Sequence, residues 1–287
     1  MKKVISVIVC IALTLSALLL FSGCDEVVFG EDYRLSENYS SGSREIVCEP
    51  VEIEIIWIKG VIELDQAAES DRVVITENNS LPDEEKVHSY YDEETGFLYI
   101  QFWKSGHYGK VDEENKKLRV SFPSAAEVRV ISKSSDVSCG SLNVGRLDVT
   151  TASGNVKAGA LVADELRFTL VSGGLEADSI KCDDVMITGV SGIISLGDTD
   201  SEKFDLTTDS GDVRIKITGG DELEINTVSG NVTVLVPYSG SKLMFNTVSG
   251  QMTSDVASTF KDKRYYFGLG TIKIYVTTDS GSLHVTQ

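Results

Sequence analysis

The chain has 287 residues, 24% of them charged, and a formal net charge of −18 at pH 7. A surface this acidic repels phosphate backbones and anionic lipid, which argues against nucleic acid as a partner and against membrane attachment through surface charge. Five cysteines without regular spacing (Cys10, Cys24, Cys48, Cys139, Cys182) oppose both a disulfide framework and a cysteine zinc site.

Residues 1–23 read as a lipoprotein signal peptide. Lys2 and Lys3 precede an apolar run from Val4 to Leu20, and Leu20-Phe21-Ser22-Gly23-Cys24 resembles the bacterial lipobox, with Phe21 where Leu is usual. Such segments are removed and do not enter the fold. Cys24 is therefore expected to carry a diacylglyceryl group, whose two chains suffice for stable anchoring. That places the mature protein on the outer side of a bacterial membrane. Loss of residues 1–23, with two Lys and no acid, takes the net charge to −20.

Residues 24–44 mix Ser, Gly and acidic residues without periodicity and predict a flexible tether. Residues 45–130 predict an N-terminal β region of irregular coils. Its β-branched and aromatic runs at 51–58, 61–64, 72–76, 97–103 and 118–123 are bounded by Gly, Pro, Asn and Asp.

Residues 131–287 are repetitive. Ser153-Gly154, Ser172-Gly173, Ser191-Gly192, Ser210-Gly211 and Ser229-Gly230 recur every 19 residues, and Ser249-Gly250 and Ser280-Gly281 follow after 20 and 31. A fixed period in this range marks stacked repeats. Three residues after each Ser stands an apolar residue, such as Val156, Leu175, Ile194, Val213 or Val232, and a second apolar or small column lies two residues further. Offsets 13 and 15 repeat the pattern with pairs such as Leu166/Phe168 and Leu223/Ile225. Columns two residues apart define the inward face of a strand. A polar column, Thr150, Thr169, Thr188, Thr207, Asn226, Asn246 and Thr277, predicts hydrogen-bonded ladders between coils. The Ser-Gly pair predicts a corner at which Gly supplies a conformation that other residues resist. The fold expected is an all-β, right-handed parallel β-solenoid with coils of about 19 residues. The insertion before the last repeat, 260–266, is the most basic stretch of the mature chain and predicts a projecting loop. With only seven residues after Ser280, the C-terminal coil is expected to leave a bare sheet edge.

The phrases Thr227-Val-Ser-Gly-Asn-Val232, Thr208-Asp-Ser-Gly-Asp-Val213 and Thr278-Asp-Ser-Gly-Ser-Leu283 resemble the bacterial putative-adhesin family of β-strand-repeat proteins. The strand at 118–123 and the Gly-rich return at 267–270 resemble its flanking elements, so the likeness spans residues 46–287. The resemblance implies a β-solenoid at the cell envelope, often lipid-anchored, with adhesion or envelope-stress roles. It carries over no catalytic residue.

No reaction is legible, and no catalytic residue, cofactor or metal is expected. His88, His107 and His284 lack nucleophile or zinc spacing, and Cys48, Cys139 and Cys182 read as buried hydrophobes. Asp198, Asp200, Asp209 and Asp212 are solvated turn residues in the leading reading and oxygen ligands of a Ca²⁺-stabilised module in an alternative one. A carbohydrate-active β-helix enzyme is a second alternative and would need a groove with convergent carboxylates. The candidate binding surface is aromatic, Phe97, Tyr99, Trp103 and Tyr108, suited to sugar rings or an envelope protein. Lys261, Lys263 and Arg264 form a candidate basic loop. The function expected is binding or scaffolding in the bacterial envelope.

Overall fold

Nineteen-residue spacing of inward apolar pairs requires that equivalent residues lie one above another, and the strand register meets that requirement. In the computed structural model, which describes residues 27–29, 32–67, 71–77, 80–111, 116–123, 125 and 127–287, the chain is all-β. The signal segment and Cys24 lie outside the described residues.

The body is built from β10 (Glu127–Cys139), β11 (Leu142–Ser153), β12 (Val156–Ser172), β13 (Leu175–Ser191), β14 (Ile194–Thr208) and β15 (Val213–Thr227). Each pairs in parallel with the next at a 19-residue step: Val156 stands beside Leu175, Leu175 beside Ile194, and Ile194 beside Val213. The structure is thus a parallel β-solenoid. The coils from Val137 to Leu206 each present three inward columns. Two inward columns match the sequence pattern, and a third sits at offsets 8 and 10: Leu142/Val144, Leu161/Ala163, Ile180/Cys182 and Thr199/Ser201. The last pair stays buried because its hydroxyls donate to the carbonyls of Gly197 and Lys203 at 3.0 and 2.8 Å. Cys48, Cys139 and Cys182 are free and buried, and burial pushes the Cys139 thiol up to about 12.

The Ser-Gly corners stack along the axis. A Cβ built on Gly154, Gly173, Gly192, Gly211, Gly230, Gly281 or Gly250 would fall 1.9–2.2 Å from the carbonyl oxygen of the neighbouring coil. Of these seven, only Gly154 and Gly192 have a φ in the restricted positive region, 154° and 136°. Contact between stacked backbones, and not torsion, therefore dictates Gly in most of the column. The expected ladder of Thr and Asn side chains is replaced by other bonds. The hydroxyls of Thr208, Thr227, Thr278 and Thr247, one position later, accept the N–H of the corner Gly three residues on. Coil-to-coil rungs come from the residue after the Gly: Asp136 and Asp212 accept the backbone N–H of Asn155 and Asn231, both at 2.8 Å.

The ends are out of sequence order. After β16 (Val232–Leu235) the chain forms β17 (Gly240–Thr247), β18 (Met252–Ser254), the hairpin β19 (Thr259–Lys261) and β20 (Arg264–Gly268), then β21 (Ile272–Thr278) and β22 (Leu283–Thr286). The last two strands do not stack on the outside. β21 lies between β15 and β17, and β22 between β16 and β18, all parallel. The bare edge expected at the C-terminal coil is therefore filled on both sides. The outermost coil is 240–254, with β20 antiparallel to β17 and β19 antiparallel to β20. The remaining edges, β18, β19 and residues 244–247 of β17, are three or four residues each, short enough to limit strand addition.

The N-terminal end repeats the device. Its strands are β1 (Val27–Phe29), β2 (Ser40–Ser41), β3 (Arg44–Val47), β4 (Glu52–Gln66), β5 (Arg72–Thr76), β6 (His88–Asp92), β7 (Phe97–Gln101), β8 (Tyr108–Lys110) and β9 (Lys117–Phe122). β4 sits between β10 on one side and β7 with β9 on the other, all parallel. Antiparallel strands then finish the stack, β6 and β2 beyond β7, β5 and β3 beyond β9. Part of the stretch read as a tether thus pairs with the body. Gly60 extends the corner column, with Lys116 as its outward neighbour. Lys116 is buried. Its Nζ donates to Glu77 Oε1 (2.5 Å) and to the carbonyls of Phe102 (2.5 Å) and Glu85 (2.9 Å), and lies 4.6 Å from the centre of the Trp57 ring.

Candidate functional site

The outer face of the N-terminal cap carries a row of aromatic rings. In β7, alternation sends Leu98 and Ile100 into the core and leaves Phe97 and Tyr99 half-buried outside. Tyr90 of β6 stands opposite Tyr99, with rings 6.4 Å apart and 11° from parallel. Tyr39 continues the row 5.6 Å from Tyr90, Tyr33 lies 4.5 Å from Tyr39, and Phe97 lies 6.2 Å from Tyr99. Tyr33 is tied down by its hydroxyl, which donates to the Trp103 carbonyl at 3.2 Å. On the other side of β7, Glu52 and Glu54 of β4 are in register with Phe97 and Tyr99. Burial raises the Tyr99 hydroxyl above its usual value, and Glu54, Glu52 and Asp92 add to the shift. The Tyr39 hydroxyl is raised further by burial, then by Tyr33, Tyr99 and Glu54. The surface thus offers neutral phenol donors beside carboxylate acceptors, a pairing suited to the hydroxyls and ring faces of a neutral sugar.

Phe97 and Tyr99 belong to this row, whereas Trp103 and Tyr108 do not. β7 ends at Gln101, so alternation stops there and both Phe102 and Trp103 turn inward. Trp103 is 3% exposed and packs edge-on against Phe102 and His107 at 5.0 and 4.8 Å. Tyr108 is 66% exposed on β8, beside His107. Sequence reasoning missed Tyr33 and Tyr39, which arrive from the stretch read as a tether. Tyr90 was visible as an aromatic in the sequence, but its place opposite Tyr99 depends on the β6–β7 pairing.

The basic stretch forms the β19–β20 hairpin at the other end of the solenoid. Its two-residue turn, Asp262-Lys263, has φ values of 52° and 61°, the left-handed pair that matches the twist of a tight hairpin. Lys261 stands opposite Arg264, and Lys263 occupies the tip. The four aspartates are dispersed: Asp198 pairs with Lys216 at 2.6 Å, and Asp212 holds the Asn231 N–H. Among the described residues, no three His, Cys, Asp or Glu side chains group as metal ligands. One constellation was unforeseen. Thr253 Oγ1 lies 3.0 Å from His284 Nδ1, and His284 Nε2 lies 3.1 Å from Asp255 Oδ2. The order hydroxyl, imidazole, carboxylate is that of a nucleophile relay. The Asp255 side chain is 67% exposed, however, and Thr253 is exposed too, so water reaches the whole chain of bonds. Nucleophilic acyl transfer draws its rate from a water-excluded site.

The stacked Ser-Gly corners and parallel coils agree with a family model, Toastrack DUF4097, that matches residues 63–286. The chain belongs to the Toastrack DUF4097 family. The Toastrack match begins within β4 and covers every coil of the body. The chain is similar in fold to a putative adhesin from Bacteroides fragilis, at 13% identity and a TM-score of 0.50, over 85% of this chain and 95% of that one. It is similar to the same degree (TM-score 0.50, 17% identity) to a putative lipid binding protein from Parabacteroides distasonis, over 87% and 97% of the two chains. At these identities the likeness concerns the Toastrack fold alone. No curated protein matches the chain in sequence. Among the described residues no helix is long and apolar enough to cross a membrane.

Proposed function

We propose that this Toastrack protein is a lipid-anchored binding module of the bacterial cell envelope, held through Cys24, which acts by recognition and not by catalysis. The observation that carries the reading is the half-buried aromatic row Tyr33–Tyr39–Tyr90–Tyr99–Phe97 on an outer face of a rigid stack. Side-by-side rings with neutral hydroxyls offer stacking area at low entropic cost, which suits a glycan or an envelope protein that presents one. The signal-like N-terminus supports an extracytoplasmic location, and the description of one similar structure as a putative adhesin is consistent with binding. The acidic surface disfavours nucleic acid.

The test is capture of envelope glycans and proteins by the mature chain, compared with a Tyr90→Ala/Tyr99→Ala variant. Loss of capture by a variant that still unfolds in one cooperative transition is the expected result. Full capture by the variant would remove the aromatic row from the account. Labelling with a lipid precursor, abolished by Cys24→Ser, checks the anchor.

A further inference from the structure

Along most of the solenoid, an outward cation finds an acid on the adjacent strand. Lys157 pairs with Glu176 (3.6 Å), Lys203 with Asp184 (3.1 Å) and Lys216 with Asp198 (2.6 Å). Among the described residues, Lys242 of the terminal coil breaks this rule. Lys242 of β17 stands in register with Lys273 of β21, and its other neighbour is Tyr266 of β20. Like charges abreast on neighbouring strands repel. Leu243 pairs with Tyr265, which puts Met244 beside Arg264, and Met244 is in register with Tyr275 on the other side. Leu243, Ile274 and Phe267 are buried in the core, so the intervening residues face outward together. Lys242, Lys273, Arg264, Met244 and Tyr275 line one shallow cleft of about 120 Å³. Among the described residues the carboxylate paired with these cations is Glu222, 3.4 Å from Lys273, and both side chains are at least half exposed, where such a pair holds little.

Three cations drawn together in a chain of net charge −18 call for a counter-charge from outside. The apolar wall of Met244 and Tyr275 calls for more than a bare ion. We infer that this cleft binds an acidic saccharide, its carboxylate or phosphate between Lys242, Lys273 and Arg264 and its ring against Tyr275 and Met244. Glu224, in register with Tyr275, supplies an acceptor for a ring hydroxyl and repels a second anionic group on the same ring. Lys261, opposite Arg264 on the hairpin, extends the positive surface toward a following acidic unit. This site lies at the opposite end of the solenoid from the aromatic row and stands or falls without it.

The full chain, purified in detergent, is titrated calorimetrically with trigalacturonate, glucose 6-phosphate, maltotriose and inorganic phosphate. One or both acidic sugars are expected to bind, one per chain, with affinity that falls as salt rises; which of them binds separates carboxylate from phosphate. Lys242→Gln and Arg264→Gln should each weaken that binding about tenfold, the worth of one charge-assisted hydrogen bond. Lys157→Gln and the Tyr90→Ala/Tyr99→Ala variant should leave it unchanged. The inference is overturned if neither acidic sugar binds at millimolar concentration, or if Lys242→Gln and Arg264→Gln, with unchanged unfolding midpoints, bind as the parent does. It is equally overturned if, in the Tyr90→Ala/Tyr99→Ala variant, maltotriose or free phosphate binds as tightly as the acidic sugars.

Discussion

Gly230→Ala tests the stacking of the corners most directly. The added Cβ would sit 1.9 Å from the Gly211 oxygen, 2.7 Å from its carbonyl carbon and 2.9 Å from Thr227 Oγ1. Ordinary Cβ contacts begin near 3.4 Å, so the two coils must part locally by about 1 Å or more. The bonds at risk are Val228 N–H and Ser229 N–H to the Asp209 carbonyl, at 3.1 and 2.9 Å, and Gly230 N–H to Thr227 Oγ1 at 3.0 Å. Three weakened hydrogen bonds at about 1 kcal/mol each, with about 1–3 kcal/mol of overpacking, give an expected loss of about 4–6 kcal/mol. Gly189→Ala is the control. Its Cβ would meet only side-chain atoms, 3.3 Å or more away and headed by the Thr208 hydroxyl, so the change should stay within about 1 kcal/mol of neutral. Urea unfolding of the mature chain reads both, with the slope checked for constancy. A Gly230→Ala midpoint equal to that of the parent, or an equal loss in Gly189→Ala, would refute the argument that backbone contact sets the Ser-Gly period.

Glu77→Gln should cost about 3–5 kcal/mol because it strands the buried Lys116 ammonium, and Lys116→Met/Glu77→Leu should recover much of that loss in the same urea assay. His88 is buried with Nδ1 3.0 Å from the Lys86 carbonyl; burial, aided by Lys116 and Lys104, holds its pKa below 6.5. Unfolding therefore takes up a proton. The contribution of neutral His88 is present above pH 6.5 and lost as pH falls through and below that value, and His88→Asn should flatten this slope in a pH series of melts. Trp103→Ala should lower stability by about 3–5 kcal/mol, as for a large buried aromatic, whereas Tyr99→Ala should cost less and act mainly on capture; equal losses in chemical denaturation would contradict the placement of Trp103 in the core.

The coils were legible because a Toastrack repeat writes each inward face as a column two residues wide. Val156, Leu175, Ile194 and Val213 needed only counting. The third face was not, because its column passes from Leu161/Ala163 to Thr199/Ser201, and a buried hydroxyl that bonds to backbone looks like an exposed one in sequence. The exchanged order of the end coils was illegible for a different reason. Parallel pairing of β21 with both β15 and β17 satisfies the same periodic pattern as a simple stack would, and only the insertion at 260–266 hinted at a detour. For the aromatic row, alternation identified Phe97 and Tyr99 but failed at Trp103, where β7 has ended. The cationic cleft draws Lys242, Arg264 and Lys273 from three strands with no common motif, so Arg264 alone was visible as part of a basic run.

The placement of β21 and β22 inside the stack has a consequence for how the protein is made. A solenoid can assemble from its N-terminus as each coil leaves the ribosome or the export channel, each new coil adding to the last. Here the coil at 240–254 has no permanent neighbour until residues 272–286, made later, slip in beneath it. Completion of the prism thus waits for residues 272–286, and a chain cut short before them lacks interior strands and not merely a frayed tip.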